Sequence, residues 1–119
     1  NANPASMADA LVAFCEAAPD HLARCYVLGA MNELGSEAER LHTESVRALS
    51  LRAQDRVCLI GSANLRAAYR AGFEATSEQV YEVESTDSLE SVIASFRGAF
   101  FVKGSRSFAL EQLFPLTSE

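Results

Sequence analysis

Four short apolar runs, each closed by a glycine or a polar turn and followed by a stretch of helical periodicity, constrain this chain more than any other feature. They are "RCYVLG" (24–29), "RVCLIG" (56–61), "QVYEV" (79–83) and "AFFVKG" (99–104). Uninterrupted runs rich in β-branched and aromatic residues read as strands covered on both faces, because alternation is lost when neither face meets water. Strands that alternate with helices can pair in parallel only through crossovers, so the pattern predicts a parallel sheet with helices on both sides.

The helical segments complete the order. "PASMADALVAFCEAAP" sets Met7, Leu11, Phe14 and Cys15 on one face between Pro4 and about Ala18, with Pro4 suited to a first turn and Pro19 to a stop. Ser36, with acids at 37 and 39, is the expected N-cap of a second helix carried by Leu41, Val46, Leu49 and Leu51 to about Ala53. "SANLRAAYRAGF" predicts a third, stopped at Gly72. Ser88 to Phe96 predicts a fourth, opened by Asp87 or Ser85, and "SFALEQLF" a closing one that ends near Pro115. The expectation is an α/β, Rossmann-like, three-layer domain with a mostly parallel sheet. A helix starting at residue 4 of such a domain normally follows a strand, so a strand is expected before Asn1.

A length of 119 residues suits one domain with a real core. Sixteen acids against ten scattered bases give a net charge of -6, which disfavours nucleic-acid binding. No apolar run approaches the roughly 20 residues that span a bilayer, and no charged-then-apolar leader opens the chain, so a cytoplasmic protein is expected. Cys15, Cys25 and Cys58 are odd in number and far apart among apolar residues, which predicts buried free thiols. Neither His21 nor His42 has a partner at metal-ligand spacing.

In an open parallel sheet ligands bind at the carboxyl ends of the strands. The loops there are "GAMNELGSE", "GSAN", "ESTDS" and "KGSRS", together with the amino-terminal "NANP". The first is neither a Walker loop nor a Gly-x-Gly-x-x-Gly turn, and reads as a plain turn or an anion loop. The last holds the one lysine of a chain with nine arginines. Gly104 could let backbone approach a ligand, Ser105 and Ser107 could cap a helix, and Lys103 and Arg106 could hold a phosphate or carboxylate. They could equally be solvated loop residues. His42 reads as a helix-surface or half-buried histidine, and Glu33 and Glu111 as single acids without a spaced partner. No nucleophile stands beside His42 to argue a hydrolytic triad. A phospho-receiver module has a similar layout but needs an aspartate after its central strand, and "CLIGSAN" has none.

Three stretches together resemble one family. "NANPASMADAL" resembles the Asp-x-Tyr-Asn-Ala-Asn-Pro-x-Ser-Met motif of the Mur ligases, in their D-alanyl-D-alanine-adding branch. "VLGAMNELGSEAERLH" resembles their Leu-Gly-Asp-Met-x-Glu-Leu-Gly loop with the following Leu-His. "FVKGSRSFALE" resembles their Val-Lys-Gly-Ser-Arg turn. The match is to the carboxyl-terminal domain and covers nearly the whole chain. Two departures stand out: Ala30 occupies the place of the loop aspartate, and "TESVRAL" replaces an expected Val-Gly pair.

The resemblance implies that residues 1–119 are the substrate-presenting, carboxyl-terminal domain of a three-domain, bacterial, ATP-dependent amide ligase of peptidoglycan synthesis. A carboxylate of a UDP-N-acetylmuramoyl-tripeptide would be activated as an acyl phosphate and attacked by the amine of D-alanyl-D-alanine. ATP and Mg2+ would lie mainly on a central P-loop domain, so this chain alone would be inactive. Lys103, Gly104, Ser105 and Arg106 would face the incoming dipeptide, and Asn1 and Asn3 the nucleotide edge. Glu33 and His42 carry over as motif positions without an implied role. A related ligase with another amine substrate, and a stand-alone α/β ligand-binding domain, remain alternatives.

Overall fold

The computed structural model describes residues 3–110, with the side chain of Arg106 excepted. Helix α1 (Pro4–Ala17) begins with a reciprocal cap: Asn3 Oδ1 accepts from the Ser6 amide at 2.9 Å, and Ser6 Oγ accepts from the Asn3 amide at 3.3 Å. Pro4 occupies the first turn, where its missing N–H costs nothing. The helix stops because Ala18 precedes Pro19 and is forced extended, at φ -70° and ψ 133°.

The strands follow as β1 (Arg24–Gly29), β2 (Arg56–Ile60), β3 (Val80–Val83) and β4 (Ala99–Lys103), with α2 (Ala38–Ser45), α3 (Ala63–Arg70) and α4 (Glu90–Ser95) between them. All pairings are parallel, in the order β3-β2-β1-β4. Helices α1, α2 and α3 cover one face, where Met7, Leu11, Tyr26, Leu28, Met31, Leu59, Tyr69 and Phe101 form a single core. Helix α4 covers the other, over Cys25, Val27, Cys58, Ile60, Leu89 and Ile93. Each fully buried Leu- or Phe-sized side chain contributes about 1.5–3 kcal/mol, so the two clusters hold the three layers together.

Several boundaries differ from the sequence reading. The second helix ends at Ser45 rather than near Ala53, and Ser36 sits inside a preceding 3-10 turn (Gly35–Glu37) instead of capping it. Thr43 and Ser45 turn their hydroxyls onto the carbonyls of Ala68 and His42, at 2.7 and 2.9 Å, an alternative to continued helix that such residues readily take. Val46 and Leu49 still reach the core, but from turns. Strand β3 is an edge strand with Tyr81 and Glu82 exposed, so it is not covered on both faces. The expected closing helix begins in a 3-10 turn (Arg106–Phe108) and is interrupted at Ala109, whose φ is 48°; residues from Glu111 onward lie outside the described residues. All three cysteines are free; Cys25 and Cys58 are buried and Cys15 half-buried.

The amino end of the sheet is tied by one carboxylate. Asp55 is fully buried and accepts from the amides of Arg24 and Arg52, both at 2.9 Å, and from the Arg52 guanidinium at 3.1 and 3.2 Å. Burial alone pushes its carboxyl up. The Arg52 side chain and the two amides outweigh burial and hold it below its ordinary range.

Candidate functional site

Chain order reverses between β1 and β4, because β1, β2 and β3 step one way and β4 returns to the other side of β1. Such a switch point opens a crevice outside the carboxyl ends of the two strands. The loops that leave it are Ala30–Glu37 and Gly104–Phe108, both singled out in the sequence.

The strand ends approach backbone to backbone. A Cβ on Gly104 would lie 2.7 Å from Gly29 Cα, and one on Gly29 would lie 3.2 Å from Gly104 Cα. Gly104 therefore serves close contact between the two strand ends, a use the sequence reading did not include. The backbone between Gly29 and Met31 is then held at four points. Tyr69 donates its hydroxyl to the Gly29 carbonyl at 2.7 Å, and the Ala30 amide donates to Ile60 at 2.8 Å. Ser105 donates its amide to the Ala30 carbonyl at 3.2 Å, and the Met31 amide donates to His42 Nε2 at 2.8 Å. The two motif loops are thus one bonded unit.

His42 lies at 0% exposure, not on a helix surface. Because Nε2 accepts from Met31, the proton sits on Nδ1 and is donated to the Ala38 carbonyl at 2.7 Å. The ring packs edge-on against Tyr69 at 4.8 Å. Burial pulls its pKa below the ordinary value, against a smaller opposite effect of the Ala38 bond, so the neutral ring belongs to the fold. Tyr69 was missed by sequence reading. Its contact spans 40 residues, and nothing local in an Ala-rich helix marks the hydroxyl.

Lys103 closes β4 opposite Leu28. Alternation along the strand places it on the same face as Phe101, the face covered by α1. It is half-buried, and its ammonium has no hydrogen-bond or ion-pair partner among the described residues. Ser105 is buried, and its hydroxyl meets that of Ser107 at 2.6 Å and accepts from the Ser107 amide at 3.3 Å, so it builds the turn. The backbone of Arg106 enters the 3-10 turn, and its side chain lies outside the described residues. Glu33 is exposed with φ 64°, a left-handed conformation uncommon for a side-chain-bearing residue. Asn3 is exposed and spends its Oδ1 on the α1 cap, while Asn1 lies outside the described residues. Ala30 is buried, its methyl facing Gly61, so no carboxylate stands at that position.

The architecture is that of a doubly wound α/β domain, with a bonded loop pair at its switch point and, among the described residues, no partner for the Lys103 ammonium. The sequence matches the model of the Mur ligase, glutamate ligase domain family over residues 1–105, and the chain belongs to that family. Two crystal structures of MurF from Acinetobacter baumannii share the fold. They are 22% identical, with TM-scores of 0.71 and 0.67, and each match covers 95% of this chain. The chain spans only 24% and 25% of those proteins. Among curated protein sequences none matches significantly. Among the described residues no helix is long and apolar enough to cross a membrane.

Proposed function

We propose that this chain is the substrate-presenting domain of an ATP-dependent ligase that joins D-alanyl-D-alanine to a UDP-N-acetylmuramoyl-tripeptide in the bacterial cytoplasm. The observation that carries the reading is Lys103: a half-buried cation without a partner among the described residues, at the switch point of a Mur ligase domain. A cation in that position suits the free carboxylate of the incoming dipeptide, and Arg106 follows it in the same turn. Glu33 on the neighbouring loop supplies an opposite charge suited to an ammonium. The MurF likeness favours the dipeptide over a single amino acid as the amine.

ATP and Mg2+ would lie mainly outside this chain. Among the described residues no three His, Cys, Asp or Glu side chains converge, and no Walker loop is present in the sequence. Both belong, on this reading, to other domains of a longer enzyme, with residues 1–119 closing over them. A strand preceding α1 would then pair at β4: α1 lies on the same face as α2 and α3, and a right-handed crossover into β1 from that face starts beyond β4.

The test is ATP turnover by the full-length protein with D-alanyl-D-alanine against single amino acids. Stimulation by a single amino acid alone would sink the dipeptide assignment. Lys103→Ala is expected to raise the KM for the dipeptide about 10- to 100-fold, as loss of a charge-assisted bond does, with the fold intact. Lost folding at unchanged KM would make the turn structural.

A further inference from the structure

The Gly29–Glu33 loop is anchored from beneath by a ring that can gain a proton. His42 Nε2 is the acceptor of the Met31 amide, and Nδ1–H is committed to Ala38, so a protonated ring would confront the Met31 N–H with a second donor. The loop cannot yield at Met31 alone. Ala30, one residue back, receives the Ser105 amide, and Ser105 stands two residues beyond Lys103.

Among the described residues no acidic side chain bonds the ring to compensate a positive charge. Helix α3 faces it with Tyr69, and its two arginines are turned elsewhere: Arg66 onto the Gly61 carbonyl and Glu82, Arg70 onto the carbonyls of Phe73 and Ala75. Helix α1 buries Met7 and Leu11 on this side. On α2 itself Arg40 is exposed and bound to Glu37 and Glu44, and Glu39 is exposed.

We propose that His42 is the positioning residue of this site: its neutral ring latches the Met31 amide and so holds the Gly29–Glu33 loop, and through Ala30 the Lys103 turn, in the geometry that binds the amine substrate. The kinetic consequence rests on the ligase reading; the latch itself does not. Acid releases the latch, and substrate affinity falls with it.

Two substitutions separate latch from scaffold in the full-length enzyme. His42→Gln places an amide oxygen near the Nε2 position and does not titrate. His42→Asn is too short to reach Met31. Near neutral pH, His42→Asn is expected to raise the KM for the amine by about fivefold or more, the low end of what one buried amide without an acceptor costs, with the KM for ATP unchanged. His42→Gln recovers most of that loss. In the unsubstituted enzyme the amine KM rises on the acid side of the ordinary 6.5, where the buried ring, held below that value, takes up its proton, and in His42→Gln that rise is absent. An amine KM unmoved in His42→Asn while kcat falls with the folded fraction overturns the proposal, as does an acid limb that survives in His42→Gln.

Nitrogen-15 spectra of the histidines, with hydrogen exchange at Met31, read the latch without turnover. Expected are an unprotonated Nε2 at neutral pH and a Met31 amide that loses protection in His42→Asn. A protected Met31 amide in that variant overturns the latch. An unsubstituted enzyme that joins no amine, with the spectra as expected, overturns the ligase reading and leaves the latch standing.

Discussion

Replacing Gly104 by alanine tests whether the switch point is built by backbone contact. The added methyl would lie 2.7 Å from Gly29 Cα, 3.0 Å from Gly29 N and 2.9 Å from Leu110 Cδ1. Ordinary carbon contacts are about 3.5–4.0 Å, so the overlap with Gly29 Cα approaches ~1 Å. Leu110 is a side-chain tip and can turn away. Gly29 cannot recede, because β1 is bonded to β2 on one side and β4 on the other. Strand β4 must therefore shift, weakening the Ser105 to Ala30 bond. Overpacking of this kind costs about 1–3 kcal/mol, against which alanine gains about 0.4–1 kcal/mol by restricting the unfolded chain. A net loss of about 1–2 kcal/mol corresponds to a melting midpoint lower by roughly 4–10 °C. The converse substitution, Gly29→Ala, meets Phe108, Gly104 and Leu110 at 3.1, 3.2 and 3.3 Å, so small shifts accommodate it and the loss is smaller. Urea denaturation followed by circular dichroism ranks the two. A Gly104→Ala protein as stable as the parent, or less affected than Gly29→Ala, would refute the steric argument.

Three further outcomes are expected. Asp55→Asn removes a buried carboxylate that satisfies two amides and a guanidinium, and should cost about 3 kcal/mol or more in urea unfolding; a loss below ~1 kcal/mol would mean that the ties are redundant. Tyr69→Phe strips the donor from the Gly29 carbonyl and should cost about 1–2 kcal/mol, visible as faster exchange of amides around Gly29, and equal exchange would contradict the assignment. Stability against pH should fall in two stages. His42 is held below its ordinary 6.5, so the unfolded chain takes up the proton first and stability declines as pH drops below about 6.5, by at most ~1.4 kcal/mol per unit. Asp55 is held below its ordinary 3.8, so its contribution persists above that value and is lost as pH falls beneath it. A flat stability profile between pH 7 and 5 would count against the buried neutral His42.

Much of the fold is visible in the residues themselves. "RCYVLG" and "AFFVKG" read as strands because covered strands need consecutive apolar residues, and β1 occupies 24–29 as expected. Sheet order is a different matter: the reversal between β1 and β4 depends on where each crossover lands, which no local pattern encodes. Helix α2 was over-read because Val46 and Leu49 keep helical spacing while reaching the core from turns. The site divides in the same way. Lys103 and the two loops stand out by composition, whereas His42 as an anchor and Tyr69 as a clamp depend on partners 11 and 40 residues away. Gly104 stands out in the sequence, but its close approach to Gly29 depends on a partner 75 residues away.

The bonding of the crevice limits how a ligand can be recognised there. In a phosphate-binding loop the backbone amides point outward, free to cradle an anion. Here the amides of Ala30, Met31, Ser105 and Ser107 are each committed to a partner within the protein. The Gly29 and Ala30 carbonyls are committed as well. With those amides committed, side chains are left to meet a ligand on the proposed reading, among them Lys103 at the end of β4 and the exposed Glu33. On the proposed ligase reading, charges of both signs beside committed amides suit a zwitterionic substrate better than a polyphosphate. The same commitment explains why Ala30 is tolerated in the interior: the backbone at that position, not its side chain, ties the two loops together.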